Sequence, residues 1–358
     1  MPDSREYAAG PLRRLKDVQL VSIAPHEPGY VAGVIVDGHL EWVHYQGSRR
    51  IENVQPLDEF SSFYAASLAK QVTASCAAVL VTRGQLDVAH RLRRFIPELP
   101  SAYDKVRVRH LIHHTSGLPG YATVSPVAPE TPVGNAEALE RVRGPLLFEP
   151  GDRYEYSSTG YMVLACLIAR IAGVPFHIFA RNDVLIPVGM TRSLFRVAPE
   201  NPDDESLALG YVASNAGPRH VPYRFHVVGD GGLITCLADL AAWDAFLAGT
   251  SKLGSRIASR MVETDTLNGG DSQFYAWGLA VWTHHGLTIH THGGNAPGYG
   301  AKFVRFPEKR TSIGVLANRD PLDVNDIARK VADCALWESL DWTRPSWDEG
   351  FTGSEHRA

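Results

Sequence analysis

FSSFYAASLAKQVTASCAAVLVT, residues 60–82, is the stretch on which the fold turns. After Ser67, apolar residues recur at Leu68, Val72, Cys76, Val79 and Leu80, close to the 3.6-residue period of a helix. The run carries no acidic residue and is apolar or small on most faces, which predicts a buried helix ending near Arg83-Gly84. Lys70 sits in the first turn of that helix. Burial penalises its charge, and the helix macrodipole opposes a cation there. Ser67, three residues earlier, shares its face. A serine hydroxyl is a poor nucleophile until a base takes its proton, and a lysine whose pKa is lowered by burial can be that base. Ser67 at a helix N-terminus would also bring a backbone N–H to a developing oxyanion. The plainer alternative makes Ser67 an N-cap and Lys70 a surface residue. Position 70 lacks the acid of a capping box, which counts against it.

Outward from this helix, the chain divides by pattern. Towards the N-terminus a helix is expected, followed by a hairpin, VAGVIV (31–36) and LEWVHY (40–45) around Asp37-Gly38. VRHLIHH (108–114) reads as a short helix stopped by Thr115-Ser116-Gly117-Leu118-Pro119, with His113 and His114 in the stop. A long Pro/Gly/Ala-rich segment, 118–137, suits a binding-site wall. YMVLACLIARIAG (161–173) is a nearly all-apolar helix with Gly173 as its C-cap. NPDDES (201–206) is an acidic turn. Strand-like runs return at YAWGLAVW (275–282), LTIHTH (287–292), AKFVRF (301–306) and SIGVLA (312–317), with turn residues between them that imply antiparallel pairing. An amphipathic helix spans 323–340. Strands at both ends and helices between imply one sheet built from both termini with a helical insertion. We expect an α/β domain from residues 1–80 and 226–343, an all-α domain from 81–225, and a loose tail, 344–358.

The bounds agree with an ordinary globular protein. The 358 residues are 44% hydrophobic and 21% charged, with net charge −4. No basic cluster alternates with aromatics, so nucleic acid is not an expected partner. No segment reaches the ~18 continuous apolar residues of a membrane span, and the start lacks a signal-peptide h-region, so a cytoplasmic location without a membrane is expected. The scattered Cys76, Cys166, Cys236 and Cys334 read as free thiols. His290 and His292 share a strand face and His284-His285 lie near, yet no carboxylate or cysteine completes a ligand set, so neither metal nor cofactor is expected.

Three pieces occur in order: Ser67-x-x-Lys70, Tyr156-Ser157-Ser158 before the apolar helix, and His292-Gly293-Gly294 at a strand end. Together they resemble the penicillin-recognising serine hydrolases: class C β-lactamases, DD-peptidases, D-aminopeptidases, and related esterases and transacylases. GVIVDG (33–38), HHTSGLPG (113–120), FEPG (148–151), PVGM (187–190), GGLITCLADL (231–240) and VLAN (315–318) extend the resemblance over most of the chain. It implies a class C β-lactamase-like fold, an antiparallel sheet flanked by helices beside a helical domain, with the site between them. It also implies Ser67 as nucleophile, Lys70 as base or electrostatic partner, and Tyr156 as proton shuttle. The Ser67 and Asn295 N–H groups would form the oxyanion hole, and Gly293 and Gly294 would let a substrate approach the strand.

Two positions depart from the family. Ser158 stands where asparagine is usual, and its shorter hydroxyl argues against β-lactams and peptides. His292 stands where β-lactamases carry lysine. With an ordinary pKa near ~6.5 it would anchor an anionic substrate weakly, fading above neutrality. Asp230, in VGDGG (228–232), reads as a turn residue without an assigned role. The expected function is acyl transfer through an acyl-enzyme on Ser67: a carboxylesterase, amidase or transacylase acting on a small-molecule ester or amide, with water or an amine as acceptor. A D-aminopeptidase, DD-peptidase or β-lactamase would share the core, and an inactive scaffold would keep the fold alone.

Overall fold

The structure, a computed structural model, describes residues 14–121, 133–197, 204–222, 226–284 and 286–336. The expected tail, the last four residues of the 323–340 helix, His285, and parts of the 118–137 and 201–206 segments lie outside the described residues. The expected N-terminal helix reduces, among the described residues, to a single 3-10 turn at Leu15–Asp17.

The hairpin forms as β1 (Tyr30–Val36) and β2 (His39–Gln46). Its turn has positive φ at both Asp37 (53°) and Gly38 (80°), the pairing a type I′ turn requires. The C-terminal half supplies β3 (Ala280–His284), β4 (Leu287–Ala296), β5 (Tyr299–Phe306) and β6 (Thr311–Ala317). The sheet order is β3-β4-β5-β6-β1-β2, antiparallel throughout. β6 pairs with β1 from Tyr30↔Ala317 to Val36↔Thr311, which joins the two ends of the chain. The run expected as a strand over 275–282 pairs regularly only from Ala280, because Gly278 (φ 79°) turns the backbone against the helix that follows Ser67.

Helices cover both faces. α1 (Ala69–Thr82), α2 (Ser158–Ala172) and α3 (Leu237–Leu247) share one core with Val31, Ile35, Ala301 and Phe303. α4 (Val324–Leu336) packs Ile327, Ala328 and Val331 against Val304, Phe306 and Val315 on the opposite face. α1 is buried from Ala69 to Leu80, as its lack of a polar stripe predicts. α2 starts with Ser157 as N-cap and ends at Gly173 in the left-handed region (φ 69°). Cys76, Cys166 and Cys236 are buried free thiols and Cys334 is half-buried.

One buried polar cluster locks α3 to the sheet. The Asp244 carboxylate pairs with Arg305 of β5, accepts the Ser312 hydroxyl of β6 at 2.5 Å and the Gly38 N–H of the hairpin turn at 2.9 Å. Both charged side chains are almost wholly buried. A buried charge needs such partners to be tolerated.

Candidate active site

Ser67 lies in a 3-10 turn, Ala66–Leu68, that runs straight into α1. The chain enters it from Phe63–Tyr64, a short strand paired with Leu233–Thr235 and continued by the Ala65 N–H to the Leu233 carbonyl at 2.8 Å. Ala66 is then forced to φ 46°, a conformation costly for a residue with a side chain. That strain leaves Ser67 half-buried at the start of the helix, above Lys70.

Lys70 is fully buried. Its Nζ donates to Ser67 Oγ at 3.0 Å, to Ser158 Oγ at 3.4 Å and to the Asp230 backbone carbonyl at 2.7 Å. Burial lowers its pKa to about 8, opposed by the negative charge of Asp230. The same Nζ lies 4.9 Å from the centroid of the Tyr156 ring and 5.8 Å from that of Tyr161. Ser67, Tyr156 and Ser158, drawn from two distant parts of the sequence, therefore surround the Lys70 ammonium.

β4 closes the other side. β3 pairs with β4 no further than Thr291, so among the described residues no strand covers that edge over 292–296. A Cβ added at Gly294 would overlap the Ala65 carbonyl oxygen and lie 3.2 Å from Ser67 N. Gly294 is thus required by the close approach of the protein's own turn. Gly293 differs from the expectation. It pairs with Lys302, and its Cβ position faces Lys302 Cδ at 3.9 Å on the opposite face. Asn295 is the next residue, exposed, paired with Gly300.

His292 also departs from expectation. It is 5% exposed, with Nε2 at 2.9 Å from the Tyr275 hydroxyl and Nδ1 at 2.5 Å from the Gly293 carbonyl. Both nitrogens meet protein groups, which fixes the orientation of the ring. Strand alternation points the ring into the site floor, where Tyr275 meets it.

His114 belongs to this floor as well as to the helix stop. Its left-handed backbone (φ 57°) brings the carbonyl to the Glu155 N–H at 2.9 Å, while Nδ1 accepts the Ser157 N–H at 3.0 Å. Those two bonds bracket Tyr156, whose ring centroid is 4.4 Å from that of His114. Burial, then Lys70, holds the His114 pKa well below the ordinary value. The ring is accordingly neutral with its proton on Nε2. The 275–278 turn completes the support. A Cβ at Gly278 would lie 2.5 Å from the Lys70 carbonyl oxygen, and Tyr275 O bonds His113 Nδ1 at 3.0 Å. Sequence reading treated Asp230 and His114 as turn residues. Nothing local to VGDGG signals that its carbonyl receives a lysine from α1. The adjacent histidines and aromatics of 108–121 and 154–161 were the available hint for His114.

Comparison with known proteins gives consistent matches. The Beta-lactamase family model matches residues 18–335. Penicillin-binding protein 4* of Bacillus subtilis (strain 168) is 27% identical over 310 residues, covering 79% of this chain and 66% of that protein. A D-aminopeptidase of Gluconobacter oxydans (strain 621H) is 27% identical over 302 residues, covering 81% of this chain and 56% of that protein. The chain thus spans less than two thirds of the length of these relatives. Among solved structures, the D-amino acid amidase from Ochrobactrum anthropi SV3, complexed with D-phenylalanine, aligns with TM-score 0.75 at 21% identity over 93% of this chain and 99% of that one. At that identity the likeness is one of fold.

Proposed function

This chain belongs to the Beta-lactamase family, and from that premise we propose that it is a serine hydrolase that cleaves or exchanges a small-molecule amide or ester through an acyl-enzyme on Ser67. The observation that carries the reading is the fully buried Lys70 ammonium 3.0 Å from Ser67 Oγ. In this reading the neutral amine takes the Ser67 proton as Oγ bonds to the acyl carbon. In this reading the tetrahedral oxygen rests on the backbone N–H groups of Ser67 and of Asn295 on β4. Tyr156, whose ring stands beside the Lys70 Nζ, delivers a proton to the departing nitrogen or oxygen and later draws one from the second nucleophile, water or an amine.

The relatives' names favour D-amino-acid amides over β-lactams as the first substrates to try. Ser158 supports the same order, since its hydroxyl is engaged by Lys70 and is too short to span to a peptide carbonyl as asparagine would. Intact-mass analysis after incubation with a penicillin, an activated ester and a phosphonate probe tests the reading, with Ser67→Ala as control. Adduct on the native chain alone supports it, and the ester-to-lactam pattern sorts the substrates. Equal labelling of both proteins, or of neither, overturns it.

A further inference from the structure

The VGDGG loop, residues 228–232, carries no role in its own sequence, yet several elements of the fold hold it. Asn135, the first residue of the short helix Asn135–Glu140, grips Val228 at both backbone groups. Its side-chain oxygen accepts the Val228 N–H at 2.7 Å, and its side-chain nitrogen donates to the Val228 carbonyl at 2.9 Å. Thr73 is fully buried on α1, one turn beyond Lys70, and its hydroxyl donates to the Gly229 carbonyl at 2.7 Å. The competing carbonyl within its own helix, that of Ala69, is further away at 3.2 Å. Gly229 has φ 109°, and a Cβ on it would lie 2.4 Å from Ala165 Cβ on α2, so only glycine fits between loop and helix. Further on, the Gly232 N–H reaches the Tyr64 hydroxyl at 3.4 Å. Two successive carbonyls therefore face α1. That of Gly229 meets Thr73, and that of Asp230 meets Lys70 Nζ at 2.7 Å.

We propose that Thr73 and Asn135 are positioning residues for the Lys70 base: by fixing the 228–230 backbone they keep the Asp230 carbonyl on the amine, which turns its lone pair towards the Ser67 hydroxyl. The inference rests on the acyl-enzyme reading above. Its logic is a count of donors and acceptors. As an ammonium, Lys70 has three protons for three acceptors: Ser67 Oγ, Ser158 Oγ and the Asp230 carbonyl oxygen. As a neutral amine it keeps two protons and gains one lone pair. A carbonyl oxygen only accepts, so the lone pair has to face a hydroxyl instead. Ser67 Oγ, at 3.0 Å, is nearer than Ser158 Oγ at 3.4 Å. A carbonyl free to drift would release that constraint, and the lone pair would point at Ser67 in only a fraction of molecules. The titratable groups around the same nitrogen are the Asp230 carboxylate, His114, Tyr156 and Tyr161, of which only Asp230 belongs to the loop.

The test follows the acylation burst with p-nitrophenyl acetate from about pH 5 to 10 in the native chain, Thr73→Val, Thr73→Ser and Asn135→Leu. Thr73→Val keeps the side-chain shape without the hydroxyl, and Asn135→Leu removes both bonds to Val228. Each should lower the plateau acylation rate by about 10-fold, with little change in the ester concentration that half-saturates it. The rising limb should also move to lower pH by about half a unit or more, because an ammonium that loses a carbonyl acceptor loses stability relative to the amine. Thr73→Ser, which retains the hydroxyl, should restore the native profile. If Asn135→Leu does not fold, Asn135→Asp, which accepts the Val228 N–H but cannot donate to its carbonyl, carries the same expectation. Native rates in both Thr73→Val and the Asn135 variant overturn the proposal. So does a lower rate whose limb stays at the native pH, since that marks a scaffold defect and not a displaced acceptor. Parallel labelling with the phosphonate probe separates the two readings. Ser67 labelled in the native chain, with variants that keep its profile, sinks the positioning role alone, whereas an unlabelled Ser67 sinks the acyl-enzyme reading first.

Discussion

If Lys70 takes the Ser67 proton, acylation must follow the lysine's titration. Burial brings its pKa from 10.5 to about 8, with Asp230 pulling the other way. Only the neutral amine can accept a proton. At pH ~6 roughly one molecule in a hundred would have it, and kcat/KM for acylation should climb ~10-fold per pH unit before flattening above about 8. The same proton reports on stability. The folded-state pKa lies below the unfolded one, so the unfolded chain binds more protons between about 8 and 10.5. Stability therefore rises with pH through that window, and the full penalty is present below about 8. At ~1.36 kcal/mol for each factor of ten, the penalty is ~3 kcal/mol. Lys70→Met should abolish acylation and remove this share of the pH dependence. Across the window the wild type should gain ~3 kcal/mol relative to the variant. Stopped-flow acylation with an uncharged activated ester gives the first profile, and urea unfolding of both proteins gives the second. A flat acylation profile between about pH 6 and 8.5, or the same limb retained by Lys70→Met, refutes the reasoning.

Three other substitutions probe the supports. Gly294→Ala puts a methyl into the Ala65 carbonyl, which pushes β4 off the Ser67 turn; kcat should fall by ~100-fold or more, and near-normal burst kinetics would remove the strand from the oxyanion site. His114→Ala orphans the Ser157 N–H and hollows the support under Tyr156; kcat should drop ~10-fold or more with KM little changed, and a shift in KM alone would make the residue a binding-wall element. Asp244→Ala leaves Arg305 buried without its partner; urea unfolding should show a loss of ~3–5 kcal/mol, and a loss below ~1 kcal/mol would show that the cluster relaxes freely.

Periodicity and local chemistry by themselves determined much of this protein. The I′ hairpin at Asp37-Gly38, the buried helix after Ser67, the capped helix ending at Gly173 and the antiparallel C-terminal strands are short-range features. Each depends on residues a few positions apart, so it is legible in one dimension. The approach of Lys70 to Ser67 was legible for the same reason, because one helical turn separates them. What only the tertiary structure decided involves distances across the chain. Asp230 gives its carbonyl to a lysine 160 residues earlier, His114 brackets Tyr156 from a separate helix stop, and His292 turns inward to Tyr275. Gly294 yields to the backbone of Ala65, while Gly293 faces away. Such contacts arise when packing brings distant backbone and side-chain groups within hydrogen-bond range, and no local spacing encodes which groups will meet.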